Sequence, residues 1–154
     1  MYYTVLVFHS AVRWLLLISL LFAIFRAYRG WLMNQPFTKF DNTMRHVTAT
    51  IAHIQLLLGL CLYGVSPIVQ YFFDHFKEAI HERQIRFFGM EHISVMFVSI
   101  ILITVGSIKT KRQTTDKAAF KTMAIWYTIA LLLILSSIPW QFSPLVSRPY
   151  FRSL

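Results

Sequence analysis

Three histidines, one arginine and one glutamate stand inside stretches of sequence that are otherwise almost free of charge. His9 and Arg13 lie one helical turn apart in "FHSAVRWLLL", His53 lies in "TIAHIQLLLGL", and Glu91 and His92 lie side by side in "FFGMEHISVMF". A neutral imidazole nitrogen can bind a metal, a guanidinium is a permanent cation, and a carboxylate can answer either. Ionisable groups in lipid are costly, so they face protein and mark a site by default.

Depth sorts the three histidines. At about 1.5 Å of rise per helical residue, His9 lies about 6 Å inside Val5, and His92 about 7–8 Å inside Phe87. With Val5 and Phe87 as the boundary on one side of the membrane, the two are level. His53 is on a helix running the other way. Counted from Val69, it lies about 24 Å from that boundary, about 16 Å deeper than the pair.

Two level imidazoles on different helices meet the needs of one b-type haem, which takes a nitrogen on each face of the ring. No C-x-x-C-H motif is present and Cys61 is the only cysteine, so the haem would be held non-covalently. Gly64 and Gly89 fall near the same level and offer room for the ring, and Ser10 and Ala11 keep the first helix slim. His53 is a reserve ligand, or forms a polar site with Gln55 and Thr50. Arg13, about 12 Å deep, can snorkel toward the His9 level and meet either Glu91 or a haem propionate. The alternative for each histidine is a hydrogen bond to a neighbouring helix, worth roughly 0.6 kcal/mol on average. His9 would then bond Glu91 or Ser94, and Gly59 with Gly64 would tighten packing.

The elements that must carry these residues are set by composition. Of 154 residues, 56% are hydrophobic and only 14% charged, where soluble domains carry about 25%. The deficit falls in four runs, Val5–Phe25, Val47–Val69, Phe87–Ile108 and Met123–Trp140. Each is long enough to cross a hydrocarbon core of about 30 Å as a helix, and lipid leaves the backbone no other way to satisfy itself. The expected fold class is all-α, a four-helix transmembrane bundle forming a single domain over residues 1–154. The first run lacks a basic leader and a small-residue cleavage site, so it reads as a retained helix.

The net charge of +9 tracks topology. Arg26, Arg29, Lys39 and Arg45 surround the first loop, and Lys109, Lys111, Arg112, Lys117 and Lys121 the third. The second has Lys77, Arg83 and Arg86, and the C-terminal tail Arg148 and Arg152. The positive-inside rule then puts loops one and three in the cytoplasm and both termini outside. With no recognition motif beside the charge, membrane lipid is the expected partner and nucleic acid is not. "QPFTKFDN" is a linker in which Asp41 or Asn42 caps the second helix. "FFDHFKEAIHERQ" reads as a short interfacial helix on the outer surface, with Phe72, Phe73, Phe76 and Ile80 at helical spacing. Its Asp74, Glu78 and His81 share a polar face that is ordinarily solvated and only rarely binds metal. "SSIPWQFSP" ends the last helix, with Pro139 stopping it and Trp140 anchoring at the headgroups. Phosphate-binding glycine loops, nucleophile elbows and H-E-x-x-H are absent.

"HSAVRWLLLI", "AHIQLLLGLCLY", "MEHISVMFVSIILITVGSIK" and "IPW" together resemble the small four-helix bacterial membrane proteins labelled cytochrome b or cytochrome b561-like. The resemblance covers nearly the whole chain. It implies a haem-binding electron carrier of the bacterial inner membrane, a subunit of or partner to a respiratory complex. The b561 pattern has more histidines and two haems, whereas three membrane histidines suffice for one bis-histidine site. The expectation is therefore one haem b ligated by His9 and His92 for one-electron transfer, with quinone meeting the chain near His53 and Gln55. A haem-free accessory or assembly subunit is the alternative. A proton-coupled transporter relaying through Arg13, Glu91 and His92 is the third reading, without the internal repeats such proteins show.

Overall fold

A computed structural model describes residues 1–140; Arg148, Arg152 and the orientation of the C-terminal tail lie outside the described residues. The chain forms α1 (Tyr2–Leu32), α2 (Lys39–Val65), α3 (Pro67–Asp74), α4 (Phe76–Ala79), α5 (Arg83–Arg86), a π-helical turn (Phe87–Glu91), α6 (His92–Lys111) and α7 (Asp116–Ser137). Among the described residues, four helical stretches are long and apolar enough to cross a membrane: α1, α2, the continuous stretch Arg83–Lys111 and α7. No strand occurs among the described residues. The chain is an all-α multi-pass membrane protein built as a four-helix bundle.

Each helix stops where local chemistry stops it. Asn34, with φ of 50°, takes the left-handed position after α1 and lets the Gln35 N–H reach the Gly30 carbonyl at 3.0 Å. Pro36 comes next, which no helix continues through. The cap of α2 is Thr38 rather than Asp41 or Asn42. Its hydroxyl accepts from the Asp41 N–H while the Asp41 carboxylate accepts from the Thr38 N–H, a reciprocal capping box. The second span ends at Val65, because Ser66 turns extended and Pro67 opens α3. Thr115 caps α7, and Ile138 and Pro139 end it.

Successive long helices pack side by side, and α7 closes the square against α1. Short loops, residues 33–38 and 112–115, require antiparallel neighbours. The core runs along Leu16, Leu20, Ala23 and Ala27 of α1, Ala49 and Ala52 of α2, Ile100 and Ile103 of α6, and Phe120, Met123, Tyr127 and Ala130 of α7. Small residues let backbones approach closely, which drives helix association in lipid. Gly30 shows this directly, since a Cβ there would stand 2.4 Å from the Phe120 ring.

The end of the bundle that holds the two short loops is tied by polar groups. Fully buried Asp41 accepts from Arg26 at 2.7 Å and from the Thr38 hydroxyl at 2.7 Å. Buried Arg45 donates to Asn42 Oδ1 at 2.8 Å and to the Ser107 hydroxyl and carbonyl, and the Tyr127 hydroxyl donates to the Arg45 carbonyl at 2.9 Å. Lys109 stacks on Trp126 and Lys121 on Trp31 at the same end.

At the opposite end the expected interfacial helix is three short pieces, α3, α4 and α5. Phe72 is 2% exposed, driven into the space over Gly89, where a Cβ would lie 2.4 Å from its ring. Phe73 and Phe76 remain exposed, Ala79 is buried and Ile80 half-buried. The apolar stripe is thus split between bundle and surroundings instead of lying on one face.

Candidate functional site

A cavity of about 360 Å³ opens between α1, α2 and α6 at the end that carries the N-terminus. His9, Ser10 and Arg13 line it from α1, Gln55, Gly59 and Tyr63 from α2, and His92 and Met96 from α6, while Ile134 of α7 and Ile138 just beyond it close its back. That size falls within the roughly 300–1,000 Å³ of cofactor and ligand sites. In the square bundle α1 and α6 sit on a diagonal. His9 and His92 line this one cavity.

His92 is the better defined of the two. Its Nδ1 lies 2.8 Å from the carbonyl of Ser137, the last residue of α7, whose own helical acceptor role ends there. A carbonyl only accepts, so Nδ1 carries the proton and Nε2 keeps its lone pair. The bond to the backbone carbonyl fixes the tautomer, as such bonds also do in metal-binding histidines. Phe87 and Phe88 flank the ring, with centroids 5.6 and 6.2 Å away. The π-helical turn lies just ahead of it, where the His92 N–H reaches back to the Phe87 carbonyl. Such a turn inserts a residue into the helix and rotates every later residue about its axis, a feature found often at functional sites. Tyr63 steadies it by donating to the Gly89 carbonyl at 2.6 Å.

His9 rests against α2. A Cβ at Gly59 would stand only 3.3 Å from His9 Cε1, so the absence of that atom lets the ring lie there. Gln55, one turn away, donates from Nε2 to the His9 carbonyl at 3.0 Å and places the same nitrogen 3.3 Å from both ring nitrogens. Gln55 is 9% exposed, and its Oε1 is buried without a hydrogen-bond partner among the described residues.

Other expected residues fall elsewhere. His53 is exposed and donates from Nε2 to Thr104 Oγ1 at 2.9 Å, because the Thr104 hydroxyl proton goes to the Ile100 carbonyl. Gln55 is not its neighbour. Two helical residues turn through roughly 200°, which sends the two side chains to opposite faces. The 16 Å depth difference also shrinks. His9 lies beside Gly59, six positions from His53, or about 9 Å along the axis. The cause is the early end of α2 at Val65 rather than Val69.

Gly64 does not line the cavity and has open space around its Cα, since it lies on the face of α2 away from Gln55 and Gly59. Gly89 makes room for Phe72, not for a ligand. Glu91 is taken by Arg86 at 2.6 Å, and Ser94 donates to the Met90 carbonyl, so neither is the His9 partner. Arg13 lines the cavity with its guanidinium 5.2 Å from the Trp14 ring, and Trp14 packs edge-on to Trp140 at 6.2 Å. Trp140 in turn donates to the Leu135 carbonyl at 2.9 Å and closes the end of α7.

Sequence reasoning passed over the Ser137 carbonyl, and it placed Gln55 beside His53 and Gly59 in packing with Gly64 rather than at His9. The i, i+4 spacing of Gln55 and Gly59 was the available signal for these two. No signal marks a main-chain carbonyl. Among the described residues no group of three or more His, Cys, Asp or Glu side chains converges, Asp74, Glu78 and His81 included. A bare ion finds no cage of that kind there, whereas a metalloporphyrin brings four nitrogens and asks the protein for two. No family model, no curated protein and no solved structure matches the chain.

Proposed function

We propose that this chain is a membrane-embedded b-type haem protein that carries single electrons, with His9 and His92 as axial ligands. The observation that carries the reading is the pair itself: two imidazoles from diagonal helices line one apolar cavity, and one has its tautomer fixed so that Nε2 is the free base. Bis-imidazole haem supplies a one-electron iron couple whose potential depends on charge, burial and hydrogen bonding around it. Arg13 adds a fixed cation one turn from His9, suited to a propionate and expected to favour the reduced state. Leu6, Leu56, Met96 and Ile134 line the cavity and would keep water from a bound haem.

Loop charge supports a cytoplasmic position for residues 33–38 and 112–115, with the cavity near the outer face of a bacterial inner membrane. There the partners would be quinone in the lipid or subunits of a respiratory complex. One observation favours the haem-free accessory reading instead: Gln55 binds the His9 carbonyl as a residue that only joins two helices would.

An absorption spectrum of the protein expressed with ample haem decides between them. The expected result is a low-spin b-type spectrum that His9→Ala and His92→Ala each abolish or convert and His53→Ala leaves intact. A wild-type protein without a Soret band leaves the accessory role standing and removes the haem.

A further inference from the structure

We infer that Gln55 is the positioning residue of His9, the counterpart of the Ser137 carbonyl for His92, an inference that rests on the haem reading. A neutral imidazole that gives one nitrogen to a metal carries a proton on the other, and in low-dielectric surroundings that N–H needs an acceptor. His92 has one 2.8 Å away. Around His9, Gln55 and the bare backbone of Gly59 lie against the ring. Gln55 holds the acceptor: Oε1 is buried, unpartnered, and belongs to the amide that already touches both ring nitrogens.

The amide has two ways to serve the ring. As found, Nε2 uses one proton on the His9 carbonyl and offers the other to whichever ring nitrogen holds the lone pair. With that lone pair on a metal, the remaining ring N–H would need an acceptor, and a small swing of the amide that leaves Nε2 on the His9 carbonyl would turn Oε1 toward it. Both arrangements keep the Nε2 bond to the His9 carbonyl. The orphaned oxygen gains its partner only in the second. Such a bond strengthens the imidazole as a ligand and fixes the ring plane, as outer-sphere acceptors do at other metal-binding histidines.

The test uses the full chain in detergent or nanodiscs, titrated with haem, in the wild type, Gln55→Leu and Gln55→Glu. Gln55→Leu fills the space and removes both the acceptor and the Nε2 bond to the His9 carbonyl, whereas Gln55→Glu removes that bond but keeps an acceptor. Haem affinity should fall about 10- to 100-fold, and the reduction potential should rise as the ligand becomes a poorer donor. Gln55→Glu supplies a stronger acceptor; it should restore affinity and move the potential below that of the wild type. A residue that merely fills space would leave the potential of both variants where it was. Unchanged affinity and potential in Gln55→Leu, with a normal wild-type Soret band, overturns the role of Gln55 alone. No Soret band in the wild type overturns the haem reading and this inference with it.

Discussion

Replacing Gly59 tests how the His9 ring is held. An added Cβ would stand 3.3 Å from His9 Cε1, inside the roughly 3.5–4.0 Å at which carbons rest comfortably. The ring must therefore retreat by a few tenths of an ångström. It has somewhere to go, because it borders a cavity of about 360 Å³. Against that small cost stands the helix-forming advantage of alanine over glycine, about 0.8–1.0 kcal/mol. The gain wins, so Gly59→Ala should raise the stability of the solubilised protein by up to about 1 kcal/mol, near 2–4 °C in Tm for a chain of this length. Gly59→Leu reverses the sign. A branched side chain occupies the place of the ring, and overpacking of this kind costs about 1–3 kcal/mol. It should also drive His9 from the position opposite His92, so the b-type spectrum is lost while the helices persist. Thermal unfolding monitored by circular dichroism gives the first quantity and a haem titration the second. Gly59→Ala destabilised by more than about 1 kcal/mol would show the ring clamped with no room behind it. Gly59→Leu with an unaltered spectrum and potential would refute the placement of a ligand ring on Gly59.

At the other end of the bundle, Asp41→Ala removes the capping partner of Thr38 and the anion facing Arg26 from a fully buried position, and should cost about 3 kcal/mol in chemical unfolding. A loss below about 0.5 kcal/mol would mean that water already replaces these bonds. Single cysteines at Asn34, Gln113 and Lys77, in a Cys61→Ser background because Cys61 is itself exposed, report topology. Lys77→Cys should react with an impermeant reagent in intact cells, and Asn34→Cys and Gln113→Cys only after permeabilisation; the opposite pattern inverts the orientation.

The number of spans and their approximate limits were legible in the sequence, because lipid admits a helix wherever about 20 residues carry little charge, whatever surrounds them. His9 and His92 were placed together for the same reason: depth depends only on counting residues from a boundary. The sequence also carried the Thr38–Asp41 box, though its reading put the cap three or four residues late. Counting does not supply rotation about the helix axis, nor the exact point where a helix stops. Rotation sent Gln55 to His9 and left His53 beside Thr104, and it put Gly59 rather than Gly64 against the cavity. The break at Ser66 and Pro67 shortened α2 and drew His53 to within about 9 Å of the His9 level. Glu91 went to Arg86, an exchange open only once α5 and the π-helical turn brought the two within 2.6 Å. The bond that defines His92 is made to a main-chain carbonyl, which every residue possesses. Only the packing of α6 against the end of α7 selects Ser137 from among them, since a helix exposes free carbonyls at its last turn alone.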